Sequence, residues 1–122
     1  MTLPAILSAR QDPGAWTFEL DLPAELPYFD GHFPETPILP AVAQIDWAVR
    51  LAREHFNVGE RFSSLRALKF MRVVQPGAPL TLALRRHSPR ATTFEYAQGG
   101  AACSSGRIEF TDDAPGAGRT LL

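Results

Sequence analysis

The chain has 122 residues, enough for one domain with its own core and no covalent staples. At 45% apolar and 20% charged it sits in the ordinary globular range, and a net charge of −1, with basic residues not interleaved with aromatics, argues against nucleic acid. The lone Cys103 excludes an internal disulfide framework, and no run approaches the roughly 20 apolar residues of a membrane span.

Residues 5–10 form a short strand, and Asp12-Pro13-Gly14 is a turn signal. Trp16, Phe18, Leu20 and Leu22 then alternate with Thr17, Glu19 and Asp21, so a half-buried strand is expected to pair back as a hairpin. Pro23 and Pro27 end it. The loop Tyr28-Phe29-Asp30-Gly31-His32-Phe33-Pro34-Glu35-Thr36-Pro37-Ile38-Leu39-Pro40 comes next, stiffened by its prolines around a Gly-His pair.

From Pro40 the period changes. Ile38, Val42, Ile45, Val49, Ala52 and Phe56 recur at steps of four and three, which predicts the apolar face of a helix. Pro40 suits its first turn, where the missing N–H is no loss. Between Pro40 and Ala52 only Gln44, Asp46 and Arg50 are polar, so protein is expected around most of this helix. Asn57 and Gly59 supply a stop.

Four strands are expected next. Residues 63–74 close at Gln75-Pro76-Gly77, and Leu80, Leu82 and Leu84 alternate with Thr81, Ala83 and Arg85. Ser88-Pro89-Arg90 turns into Thr92-Thr93-Phe94-Glu95-Tyr96, and Gln98-Gly99-Gly100 into residues 101–110. The short turns read as an antiparallel meander. Residues 1–111 make one domain, and the tail 112–122, with Pro115, Gly116 and Gly118, is expected to be flexible. The fold class is α+β, an antiparallel sheet of five or six strands wrapped around one long central helix. Such a sheet covers only part of the helix, so a second copy would complete the burial.

Charge is unevenly spread. Residues 1–46 carry one Arg against seven Asp and Glu, whereas residues 47–110 carry ten Arg and Lys against four Glu. Most of these charges read as solvated surface, but some can form a basic rim for an anionic partner. The N-terminus lacks a basic region leading into a long apolar run, so no signal peptide is expected and the cytoplasm is the default location.

Three groups can carry chemistry. His32 sits where Gly31 allows close backbone approach and Phe33 and Pro34 would fix its ring; an imidazole held this way can take a proton near neutral pH. Asp46 lies in the second turn of an apolar helix, either paired with Arg50 or desolvated enough to act as an acid. The first-turn N–H groups near Ala41 and Val42 lie at the positive end of the helix dipole and can hold a carbonyl oxygen that gains charge. His55 and His87 form no ligand pattern with His32, so no metal site is expected, and Cys103 reads as packing.

Gly31-His32-Phe33-Pro34, then Pro37-Ile38-Leu39-Pro40, then an apolar helix with an acid at Asp46, resembles the hot-dog-fold 3-hydroxyacyl-(acyl carrier protein) dehydratases. Lys69-Phe70-Met71-Arg72-Val73-Val74-Gln75-Pro76-Gly77 is also similar to the family's strand after the helix, and Ala43-Gln44-Ile45-Asp46-Trp47-Ala48 is closest to the aryl-polyene and pigment-pathway branch. The resemblance spans roughly residues 15–110. It implies that His32 removes the α-proton of a 3-hydroxyacyl thioester, that Asp46 of the opposite subunit helps the hydroxyl leave as water, and that the N–H of Ala41, beside that of Val42, holds the thioester oxygen. The family usually has Gly where Ala41 stands; the methyl keeps the donor but narrows the approach. By the same analogy the carbonyl of Ile38 orients His32, and Phe33, Pro34 and Pro40 line the pocket.

No cofactor is implied beyond the phosphopantetheine that carries the substrate. The partners implied are acyl carrier protein, met by Arg66, Lys69 or Arg72, and a second subunit in a homodimer, a higher oligomer or a heterodimer with a related hot-dog chain. Two other readings remain open on the same fold: an acyl thioesterase, and a catalytically silent subunit of a heterodimer. Thioesterases of this fold generally need the helix acid but not the Gly-His-Phe-Pro loop, so His32 favours dehydration.

Overall fold

The computed structural model describes residues 3–26, 37–59 and 61–111. The expectations placed on Gly31, His32, Phe33 and Pro34, and on the tail 112–122, lie outside the described residues. The elements run β1 (Ile6–Asp12), β2 (Ala15–Leu20), α1 (Ala41–His55), β3 (Arg61–Phe70), β4 (Leu80–Ser88), β5 (Ala91–Gln98) and β6 (Ala101–Thr111). Six strands form one antiparallel sheet in the order β1-β2-β4-β5-β6-β3.

The alternation read in β2, β4 and β5 is what covers the helix. Phe18, Leu20, Leu80, Leu82, Leu84, Phe94 and Tyr96 are all buried, in one cluster with Trp47, Ala48 and Leu51 of α1. The chain turns tightly between β5 and β6 because Gly99 and Gly100 both take positive φ (60° and 80°), the geometry a two-residue hairpin demands. Together β4, β5 and β6 form the expected meander. β3 does not join it beside β4; it crosses to the far edge and pairs with β6. Pro76 and Gly77 sit in the connection 71–79, too long for a hairpin turn, and that length permits the crossing.

β3 also ends earlier than expected, at Phe70 rather than near 74. Beyond it the N–H groups of Met71 and Arg72 both donate to the Cys103 carbonyl (2.8 and 3.1 Å), while the Val74 carbonyl accepts from the Leu39 N–H at 2.7 Å. Segment 71–74 therefore bridges β6 and the approach to α1.

The helix buries a different face from the one its spacing suggested. Ala43, Gln44, Trp47, Ala48, Leu51 and Ala52 are buried against the sheet, whereas Val42 is exposed and Ile45, Val49 and Phe56 are only half-buried. Both faces are apolar, so periodicity alone could not choose between them. α1 spans 15 residues, with Pro40 as its N-cap in extended conformation (ψ 150°) rather than inside the first turn.

A bulge in β3 decides which of its last side chains face inward. Arg66 pairs with Arg107 and Lys69 with Ser105, so two residues of β3, Ala67 and Leu68, face the single residue Gly106. Ala67 takes the left-handed φ of 53° that this requires. A Cβ on Gly106 would lie 2.6 Å from Leu68 Cδ2 and 2.6 Å from Phe94 Cε2, so the missing side chain is what admits Leu68. Counted regularly from Leu65, Lys69 would point inward; the extra residue places Phe70 there instead, opposite the buried Ser104.

Candidate functional site

The helix N-terminus opens the site. Pro40 offers no side-chain cap, and no acid lies in the first turn. The Pro40 carbonyl accepts from the N–H groups of Ala43 (3.2 Å) and Gln44 (3.3 Å), which leaves those of Ala41 and Val42 without an intrahelical acceptor. The positive end of the dipole is thus uncompensated by side chains of its own first turn.

An apolar groove of about 360 Å³ runs past this point. Ile38, Leu39, Pro40 and Ala41 form one wall, Phe70, Met71, Arg72 and Val73 the other, and Gln44 lies between them. The bulge at Ala67 is what turns Phe70 into this groove, and the Leu39–Val74 hydrogen bond ties the two walls together. The groove can take an apolar chain along its length, with an oxygen that gains negative charge at the Ala41 end.

Asp46 does not line the groove. Two positions beyond Gln44, it lies about 200° further around the helix, on the face turned away from the sheet. There its carboxylate pairs with Arg50 at 3.6 Å, and among the described residues nothing donates a hydrogen bond to the shielded Oδ2. Burial pushes the Tyr96 hydroxyl well above its ordinary range, and the negative charge of Asp46 adds to the shift.

Arg66 is committed to Glu109, which also accepts from Ser64 Oγ at 3.3 Å; Lys69 lies on the outer face beside Ser105, and Arg72 borders the groove. His55 packs edge-on against Trp16 and Phe18 with Nδ1 3.0 Å from the Leu51 carbonyl, and His87 meets Thr93 Oγ1 at 3.0 Å. Cys103 is buried, and that burial pushes its thiol up. A larger groove, about 840 Å³ with Arg50, Arg53 and Arg61 around Phe62, lies at the opposite end of α1 and does not touch the helix N-terminus.

The sequence reading missed three polar side chains that meet beneath the groove. Gln44, Tyr96 and Ser104 are all buried and hydrogen-bonded to one another or to the helix backbone. The available signal was Gln44 itself, the one uncharged polar residue in the helix's apolar run. Its partners come from strands far along the chain, and no local pattern marks them.

Comparison with known proteins adds family evidence. The model of a family described as ApeI dehydratase matches residues 8–107. A chain of the dehydratase heterocomplex ApeI:P from Xenorhabdus doucetiae superimposes with a TM-score of 0.80 at 34% identity, over 88% of this chain and 97% of that one. The 3-hydroxyacyl-(acyl-carrier-protein) dehydratase FabZ of Caldicellulosiruptor saccharolyticus is 30% identical over 90 residues, 63% of this chain and 64% of that protein. The matches to that enzyme and to its counterpart from Brucella melitensis span 64% and 50% of the relatives' lengths. The PpsC dehydratase domain from Mycobacterium tuberculosis, 19% identical with a TM-score of 0.71, shares the fold.

Proposed function

Because this chain belongs to the ApeI-like dehydratase family, on the hot-dog fold of its structural neighbours, we propose that it dehydrates 3-hydroxyacyl thioesters carried on acyl carrier protein to the trans-2-enoyl thioesters. The observation that carries the reading is the uncapped helix N-terminus at Ala41 opening onto an apolar groove. The α-proton of a thioester becomes acidic only when charge on the carbonyl oxygen is stabilised, and in this reading the Ala41 N–H does that. The His32 imidazole takes the proton; the electron pair forms the C2–C3 double bond as the 3-hydroxyl departs with a proton from Asp46 as water. Base, acid and oxyanion donor need neither metal nor nucleotide. The phosphopantetheine of the carrier is the only prosthetic group involved, and a cytoplasmic location suits such a substrate.

The position of Asp46 supports a site shared between subunits. It faces away from the groove of its own chain, on the same outward helix side as the 57%-exposed Val42. On the β3 side, Phe70, Met71 and Val73 are 47%, 51% and 55% exposed. A second hot-dog chain would cover this surface, and in this reading the Asp46 of each subunit serves the His32 of the other. The partner is a second copy of this chain or a related subunit; the similarity to a chain of a heterocomplex favours keeping the latter as a second reading, in which this chain completes another subunit's site. Arg72, at the groove, is the best placed of the basic residues to meet the carrier or its phosphate.

The test is to supply a 3-hydroxyacyl thioester to the purified protein. Interconversion with the trans-2-enoyl form without release of free thiol is expected; thiol release instead identifies a thioesterase, and inactivity restored only by a related subunit identifies the silent-partner reading.

A further inference from the structure

We infer that Gln44 is a positioning residue for this reaction, holding the first turn of α1 where the Ala41 N–H meets the thioester oxygen. Gln44 Nε2 donates to the Leu39 carbonyl at 3.2 Å. A carbonyl can only accept, so this bond fixes the orientation of the amide and makes Oε1 the acceptor of the Ser104 hydroxyl at 2.6 Å. The Gln44 backbone carbonyl accepts in turn from the Tyr96 hydroxyl, also at 2.6 Å. Tyr96 and Ser104 are cross-strand partners on β5 and β6, which is why both reach one residue. The sheet thus grips the helix at Gln44, and the Gln44 side chain grips Leu39, the residue two positions before Ala41.

All three side chains are buried, Gln44 at 3% exposure, so none of these bonds competes with water. Without the Gln44 amide the Leu39 carbonyl and the Ser104 hydroxyl would be left unpaired in an apolar interior, and the chain would shift to satisfy them. Leu39 and Ala41 both belong to the groove wall, so that shift moves the oxyanion donor itself. Displacements well under 1 Å matter at such a donor, because it acts only at the place where charge develops.

The inference rests on the dehydratase reading, and a double-variant cycle separates the two. Ala41→Pro deletes the N–H while suiting the first helical position, and Pro40 already has the extended backbone (φ −62°, ψ 150°) required before a proline. Gln44→Met keeps the volume and removes both side-chain bonds. With turnover referred to the folded fraction, Gln44→Met is expected to lower kcat about tenfold with KM within about threefold, and Ala41→Pro to lower it about a hundredfold, the scale of one lost oxyanion donor. The double variant is expected to match Ala41→Pro, since Gln44 acts only through that N–H. Ser104→Ala, which disturbs the fold less, should lower kcat about threefold at unchanged KM, as expected for loss of one supporting bond. Unchanged kcat in Gln44→Met or Ser104→Ala, or losses that multiply in the double variant, would overturn the positioning role alone. A wild-type protein without dehydration activity would overturn the dehydratase reading and this role together.

Discussion

The Leu39 N–H donates to the Val74 carbonyl at 2.7 Å, joining the residue just before the Pro40 cap of α1 to the segment after β3. The two stretches are far apart in sequence, yet they form opposite walls of one groove. The bond ties the two walls together near the Ala41 N–H, so under the proposed function acyl preference and oxyanion binding would depend on the same local geometry.

Ala41→Gly should therefore broaden acyl tolerance. Removing the methyl opens the approach to the N–H, at a cost in helix stability below the ~1 kcal/mol of a helix interior because Ala41 is the first helical residue. The expected outcome is a kcat/KM that rises for bulky or conjugated acyl chains relative to short ones. An unchanged ratio across a substrate series would remove Ala41 as a determinant.

His32→Ala should remove more than about 2 kcal/mol of transition-state stabilisation, the scale of a lost general base. Asp46→Asn should be similarly impaired while remaining folded, since the Asp46–Arg50 ion pair is part-exposed and contributes little to stability. Mixing the two inactive proteins should restore some activity, measured after subunit exchange; a strictly monomeric active protein contradicts the shared site.

Tyr96→Phe should change the alkaline limit of stability. Burial raises the folded-state value of this hydroxyl above the ordinary 10.0. Its contribution is therefore fully present below about pH 10 and is lost as pH rises toward the folded-state value. Denaturation curves from pH 8 to 11 should steepen above pH 10 in the wild type and less so in the variant. At neutral pH the variant should cost about 1 kcal/mol for the lost hydrogen bond.

The bulge in β3 can be tested from both sides. Ala67→Gly relieves a left-handed residue and should stabilise the protein by up to about 1 kcal/mol. Gly106→Ala drives a methyl into Leu68 and Phe94 and should destabilise it by about 1–3 kcal/mol, read as a lower melting temperature.

Arg72→Glu should lower turnover of carrier-bound substrate while sparing a short pantetheine-free thioester. Equal effects on both substrates would assign Arg72 to the groove rather than to the carrier.

Much of the fold was legible because it depends on local period and turn chemistry. Phe18, Leu20, Leu82, Leu84 and Phe94 declare their strands by alternation, and Gly99-Gly100 declares its hairpin. Local pattern was enough for the order of elements, the hairpin and the meander of β4 to β6, and it marked His32 and Asp46 as candidates for proton transfer. Which of two apolar faces α1 buries was settled only in three dimensions, because burial depends on what the sheet offers rather than on the helix's own pattern. The pairing of β3 with β6 was settled there too, since a connection as long as 71–79 permits either edge. The meeting of Gln44, Tyr96 and Ser104 belongs with them, because contacts across 52 and 60 residues arise from strand register, which no local stretch of sequence encodes.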